Sequence, residues 1–475
     1  MLLKSNSIIL HVHIHNMLHF QNHHSLTHRL WLLTCGSLIF LCLQPGCKCK
    51  DELITQKEKS GTPNVILIIG DDFGYDLAGY NGGTSYSTPN IDYLAQNGMT
   101  FQHMFSYPDG FPSRIAMYTG KYNFRNYKRW GYIDQQEKML GNMFKDAGYH
   151  TGFYGKWQCN GGDESLKAHG FDDYAVYLPF AEDQRERRYK NPLVYVDGAY
   201  LPDEEVRKKY SEDVFVEKLE QLIDRSVQAK QPFFAVYSLN LVGAPFVPTP
   251  DNLEFASWPV EKDQERSDLK YFPEMVRYVD KKVGQIREKV YQLGLLNNTL
   301  IIFTSDNNSD QRILSSWRGQ TVKGTKTTTQ FTGTNIPFIA YWPNTIKAGS
   351  ANNDLHDFSD IFPTLADACQ KQTALYGILD GVSFYKRMTG SVDDSIRSAV
   401  FVDWDNDRRD DNIVPMERYA HDSVYKLYDV YGERAGNFYN MRLDPLELNP
   451  LSESSLSEAE KAKKQALAAI ISRLQ

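Results

Sequence analysis

Asn64-Val65-Ile66-Leu67-Ile68-Ile69-Gly70-Asp71-Asp72 is the stretch from which the fold of this chain can be read. Five consecutive apolar residues without alternation suit a strand that meets no water on either face, the condition of a central strand in a parallel sheet. The run stops at Gly70 and two adjacent carboxylates follow. Open α/β sheets collect their ligands at the carboxyl ends of strands, so Asp71 and Asp72 stand where chemistry is expected.

The pattern repeats outward from this strand. Thr88-Pro89-Asn90 opens a helix, with Thr88 as N-cap and Pro89 at the first helical position, and Gly98 closes it. A helix near Gln136 to Ala147 and strands near His150 to Tyr154 and Pro232 to Ser238 continue the alternation. After Pro273, the residues Met275, Val276, Val279, Val283, Ile286, Val290 and Leu293 recur at helical spacing. That helix leads into Thr299-Leu300-Ile301-Ile302-Phe303, a second buried strand, whose loop is Ser305-Asp306-Asn307.

Strands alternating with amphipathic helices predict an α/β fold with a large mixed, mostly parallel sheet sandwiched by helices, over residues 62–380. From Gly381 the pattern changes to short strands, Ala399 to Val402 and Tyr425 to Val430, and a last helix, Glu458 to Leu474. We expect a smaller C-terminal α+β subdomain there, over 381–475. No internal repeat interrupts either part.

The first fifty residues differ from the rest. They hold seven of the twelve histidines, then Arg29 and an apolar run from Leu30 to Leu43. This run is short for a membrane span and follows a basic residue, so residues 1–50 read as a secretory signal, with Met17 as the expected start. Leu43-Gln44-Pro45-Gly46-Cys47 resembles a loose bacterial lipoprotein cleavage site that would lipidate Cys47, and an ordinary cleavable signal is the alternative. The chain is therefore expected to be exported, to a cell envelope or to the medium, with a lipid anchor to a membrane in the first case. Only Cys159 and Cys369 belong to the folded body, and their spacing does not say whether they pair. The net charge of -7 over 475 residues, with scattered Lys and Arg, argues against a nucleic-acid partner.

Two adjacent carboxylates at one strand end, Asp71 and Asp72, are costly unless a cation sits between them, and an acid-amide pair follows another strand end. Asp71, Asp72, Asp306 and Asn307 together offer hard oxygen ligands for calcium, with magnesium as the alternative.

Several segments then resemble one family. Asn64 to Asp72 looks like the opening strand and metal loop of the type I sulfatases of the alkaline phosphatase superfamily, and Ser87-Thr88-Pro89-Asn90-Ile91-Asp92 like the helix after it. Pro112-Ser113-Arg114 with Thr119-Gly120-Lys121 resembles the end of the sulfatase signature Cys-x-Pro-Ser-Arg and its Thr-Gly-Lys continuation. Gly155-Lys156-Trp157 resembles the Gly-Lys-Trp-His block, Phe303 to Asn307 the second metal loop, and Asp444-Pro445-x-Glu447 a C-terminal motif.

The resemblance implies a hydrolase of sulfate esters, whose signature Cys becomes a formylglycine nucleophile while metal and cations hold the sulfate. It also implies a sulfated carbohydrate as partner. By the same matching, Asp71, Asp72, Asp306 and Asn307 are metal ligands, and Arg114, Lys156 and Lys326 are the cations around the sulfate. Lys326 is chosen by its eleven-residue distance to Pro337, with Lys323 as the alternative. The loops that choose the sugar are expected in Glu182 to Asp203 and Asp251 to Arg266.

The departures from the family fall on the chemistry. Gly110 stands at the nucleophile position and has no side chain to oxidise. Gln158 replaces the His after Gly-Lys-Trp, and Gly243, in Leu241-Val242-Gly243-Ala244-Pro245, replaces the His that protonates the leaving alcohol. Ser106 and Ser113 are poor substitutes for the nucleophile. We expect a protein that keeps metal and anion binding and has lost ester cleavage. Two alternatives are an active enzyme with a substitute nucleophile and a bare scaffold with an empty metal site.

Overall fold

Val65, Leu67 and Ile69 pack into one apolar cluster, and Ile66 and Ile68 into another. The strand Asn64–Gly70 is thus buried along its whole length, as its unbroken apolar run predicts. It lies near the middle of a ten-stranded sheet in a computed structural model that describes residues 61–180, 187–260, 263–391, 397–405 and 417–474. The expected signal segment with Cys47 falls outside the described residues, as do 181–186 and 261–262 of the two sugar-choosing loops.

The sheet order is Ser350–Asn352, Met99–Phe101, Phe338–Tyr341, Thr299–Ser305, Asn64–Gly70, Phe233–Ser238, His150–Lys156, Asp173–Tyr177, Tyr195–Val196 and Ala199–Tyr200. The five strands from Thr299–Ser305 to Asp173–Tyr177 pair in parallel, and antiparallel strands flank them. The fold is therefore mixed and mostly parallel, with helices on its faces.

The helix Pro89–Asn97 starts where Thr88 predicts, but the Thr88 hydroxyl does not cap it. Instead Asp280, from the helix Phe272–Gln292, accepts from the N–H groups of Asn90 and Ile91 at 2.9 and 2.8 Å. Thr88 Oγ1 accepts from Gly79 N at 2.9 Å and so shapes the loop before the helix.

Three local expectations need correction. The helix expected from Gln136 begins only at Leu140, because Asp134 gathers the chain into a turn by accepting from Gln136 N and Asn142 caps the helix from within at Met139 N. The helix Ser211–Ala229 was not anticipated, although Val214, Phe215, Leu219, Leu222 and Ile223 recur at helical spacing and are buried against the sheet. The C-terminal part carries a four-stranded antiparallel sheet, Val400–Trp404, Glu417–His421, Tyr425–Tyr428 and Phe438–Asn440, of which only the first and third were expected.

The C-terminal helix Glu458–Arg473 lays Leu467 and Ile471 on this sheet, against Phe401, Ala420, Leu427 and Phe438. Buried Glu447 ties the sheet to the segment after Lys326. It accepts from Lys426 Nζ at 2.8 Å, Tyr428 OH at 2.7 Å and the Phe331 N–H at 2.7 Å. Cys159 and Cys369 are free and buried.

Candidate metal and anion site

Strand register brings the site together. Gly70 is paired with Ser305, so the residues that follow, Asp71 and Asp306, emerge side by side at the carboxyl edge of the sheet. Ile69 and Gly155 are both paired with Ser238, which brings Lys156 to the same edge across the intervening strand. Gly155 has a φ of 103°, and a Cβ there would overlap the Ser238 carbonyl, so only glycine lets the strand end in this way.

Ligand oxygens of Asp71, Asp72 and Asp306 lie within 4.8 Å of one another, and all three residues are buried. Asp72 N–H donates to Asp306 Oδ1 at 3.2 Å. Asn307 Nδ2 donates to Asp72 Oδ1 at 2.8 Å, and its Oδ1 is buried without a partner. A buried amide oxygen with no protein partner beside three carboxylates suits a hard cation, and the donor set fits calcium or magnesium. Bound there, the ion would be held by these four side chains and would supply positive charge to an anion above them.

Four basic side chains meet these carboxylates. Lys156 Nζ donates to Asp71 Oδ1 at 2.5 Å, and Arg188 pairs with Asp71 Oδ2. Arg114, only 1% exposed, pairs with Asp306 through one guanidinium nitrogen and with Gln158 Oε1 through another. Lys326 Nζ donates to Asp72 Oδ2 at 2.8 Å. Its backbone N–H is held by Ser309 O at 3.0 Å, and the Thr327 N–H by Pro108 O at 2.9 Å, so the lysine loop is pinned beside the loop that leads into Gly110. Lys323, the alternative, stands exposed on the short strand Gln320–Lys323.

Crowded charge sets the protonation balance. Burial raises the Asp71 carboxyl, but the charges of Lys156, Arg188, Lys326 and Arg114 outweigh it and hold the group well below the usual carboxylate range. Burial and the Asp71 charge push Asp306 up to about 7 against the pull of Arg114. Burial pulls Lys156 down, and Asp71 only partly restores it. For Lys326 the charges of Asp72 and Asp71 overcome burial and raise it. With all groups ionised, four cations face three carboxylates, and a divalent ion would enlarge the positive excess.

Gly110 is the first residue of the helix Gly110–Thr119, N-capped by Asp109, which accepts from Phe111 N at 3.2 Å. A Cβ at Gly110 would point at this cluster, overlapping Asp306 Oδ2 and lying 2.8 Å from Arg114 Nη1. A Cβ at Gly243 would overlap Asp71 Oδ2 and lie 2.6 Å from Arg188 Nη2. Gln158, with a left-handed φ of 59°, reaches the cluster only through Arg114.

The serines near the loop are occupied. Ser113 Oγ accepts from Tyr107 N at 3.0 Å and lies 2.6 Å from Asp109 O, and Ser106 Oγ lies 2.9 Å from Tyr107 O. Both hold the turn into the helix. Among the described histidines, His150 bonds Ser226, His169 bonds Ser165 O, and His356 bonds Asn352, all away from the carboxylates.

Arg188 is the site residue that sequence reasoning missed. It lies 117 positions from Asp71, in the charged Arg187-Arg188-Tyr189-Lys190 run inside a loop expected only to choose the sugar. Its one sequence signal is an arginine in the same chain as a glycine at the Gly243 position, a pairing legible only once the two are known to meet.

The sequence model of the sulfatase family matches residues 63–371. The N-acetylgalactosamine-6-sulfatase of Canis lupus familiaris is 29% identical over 364 residues, covering 69% of this chain and 66% of that protein, so the chain spans about two thirds of this relative's length. Among solved structures, that of Ps i-CgsB in complex with k-i-k-neocarrahexaose is similar with a TM-score of 0.71 at 22% identity, over 87% of this chain and 92% of that one. A structure solved with its substrate, D-glucosamine-2-N,6-O-disulfate, is similar with a TM-score of 0.67 at 19% identity, over 87% and 97%. At these identities the structures establish the fold. With the family match covering most of the chain, from the first strand past both acidic loops, the protein belongs to the sulfatase family, type I, of the alkaline phosphatase superfamily.

Proposed function

We propose that this protein holds a sulfated carbohydrate at a calcium-dependent anion site and does not cleave the sulfate ester. The observation that carries this reading is Gly110. Its Cα faces Asp306 and Arg114 at the start of a buried helix, where a nucleophile would have to stand, and it offers no atom to attack sulfur. The anion-holding half of the site is retained beside it. Asp71, Asp72, Asp306 and Asn307 would hold the ion, and Arg114, Lys156 and Lys326 would face the sulfate oxygens.

Loss of proton transfer supports the same reading. Gln158 cannot exchange a proton near neutral pH, and at Gly243 the neighbouring group is Arg188, which stays protonated throughout. A substitute nucleophile would still need an acid for the leaving alcohol, so the active-enzyme alternative is the weaker one. The relatives named for sulfated sugars favour a sulfated glycan as ligand. An exported protein, lipidated at Cys47 or freely secreted, would meet such glycans outside the cell.

Titration calorimetry of the full chain with N-acetylgalactosamine 6-sulfate and with sulfated carrageenan oligosaccharides tests this. Binding of at least one in calcium, lost on chelation and unaccompanied by free sulfate, is expected. Binding that ignores chelation, or no binding to any sulfated sugar, would overturn the reading.

A further inference from the structure

Arg188 and Gly243 occupy one another's space. The guanidinium passes over the Gly243 backbone to reach Asp71, and a side chain at 243 would begin 2.6 Å from Arg188 Nη2. A Cβ at 243 would overlap Asp71 Oδ2 as well, so any side chain there would force both Asp71 and Arg188 out of this pose. The absence of a side chain at 243 leaves room for the Asp71–Arg188 pair and so for a fourth cation in the site.

The guanidinium is held independently of Asp71. Nη1 donates to Ala244 O at 2.8 Å, Nη2 also donates to Asn240 O, and the group lies 5.2 Å from the Tyr189 ring centre. Backbone carbonyls and an aromatic face orient an arginine without cancelling its charge. Among the described residues its ion-pair partner is Asp71, which already serves Lys156 through its other oxygen. A divalent ion that shares Asp71 would weaken the arginine's ion pair and leave its carbonyl anchors in place, on a side chain 14% exposed at the site.

We propose that Arg188, seated over Gly243, is an anion-binding residue that contacts the sulfate group of the ligand. This rests on the reading that the site takes a sulfated sugar, and adds which residue replaces the lost histidine and what the replacement does. A proton donor has given way to a fixed cation: the position grips the sulfate but delivers no proton to the leaving oxygen.

The test is calorimetry of the calcium-loaded full chain with inorganic sulfate and N-acetylgalactosamine 6-sulfate, on wild type, R188Q, R188K, G243A and R188Q/G243A. Removing a charged hydrogen bond should weaken binding about tenfold to a hundredfold in R188Q, and R188K should recover part of it. G243A, whose Cβ crowds both Asp71 Oδ2 and Arg188 Nη2, should weaken binding comparably, and the double variant no further as long as its calcium response matches that of wild type. A calcium-induced rise in melting temperature in each variant shows that the fold and the ion site survive. R188Q binding as tightly as wild type would overturn the role of Arg188 while leaving sulfated-sugar binding intact. G243A at wild-type affinity beside a weakened R188Q would overturn the exclusion between the two residues. Wild type that binds neither probe nor a sulfated carrageenan oligosaccharide would overturn the functional reading itself, and Arg188 with it.

Discussion

Lys156 Nζ donates to Asp71 Oδ1 at 2.5 Å from the far side of the strand Phe233–Ser238. One carboxylate is thereby shared between a lysine and the place of a metal ion. Replacing Lys156 by Met should separate the two roles. Calcium affinity, read from the rise in melting temperature, should not fall, because a competitor for Asp71 is gone. Sulfate affinity should fall about tenfold to a hundredfold, since a buried charged hydrogen bond is lost. Parallel loss of both would place Lys156 in the scaffold.

Glu212 predicts a pH dependence. It is buried, accepts from Tyr237 OH at 2.5 Å and Asn240 N at 2.9 Å, and burial lifts its pKa to about 7 against those hydrogen bonds. Between its ordinary value of 4.5 and about 7 the folded chain binds more protons here than the unfolded one. Stability from this group is full below that window and is lost as pH rises through it. Melting temperatures of wild type should fall across the window relative to Glu212→Gln, whose profile should be flatter. Identical profiles would contradict the assignment.

Glu447 joins the C-terminal sheet to the lysine loop. Glu447→Ala would strand Lys426, itself 2% exposed, without its anion. Breaking a buried pair from one side costs about 3–5 kcal/mol, so denaturant unfolding should show a loss of that order. Because Phe331 N–H also binds Glu447, sulfate affinity should weaken with it, through the loop that carries Lys326. A loss under about 1 kcal/mol would make the pair a surface-like one.

What could be read in advance follows physical reach. The central strand was legible because burial on both faces leaves a continuous apolar run, and Asp71 and Asp306 because each lies in the short loop just after such a run. The helix Ser211–Ala229 carries a periodic apolar signal of its own, with Val214, Phe215, Leu219, Leu222 and Ile223 on its buried face. The four-stranded C-terminal sheet was half legible, since strands such as Phe438–Asn440 are too short to show a period. Arg188 was not legible, because its partners Asp71, Asn240 and Ala244 are brought to it by the sheet and lie 52 to 117 residues away. Gly110 and Gly243 stand in the sequence where the family resemblance expects side chains, but only the packed structure shows Asp71 and Arg188 crowding the second.

Sulfate release is the most direct measurement of the central claim. Purified full chain with calcium should liberate no inorganic sulfate from an aryl sulfate or from N-acetylgalactosamine 6-sulfate on prolonged incubation at high enzyme concentration, although it binds the sulfated sugar. Release by the unmodified chain that disappears in Asp306→Ala would contradict the account, because a site without a side chain at Gly110 would then be cleaving the ester.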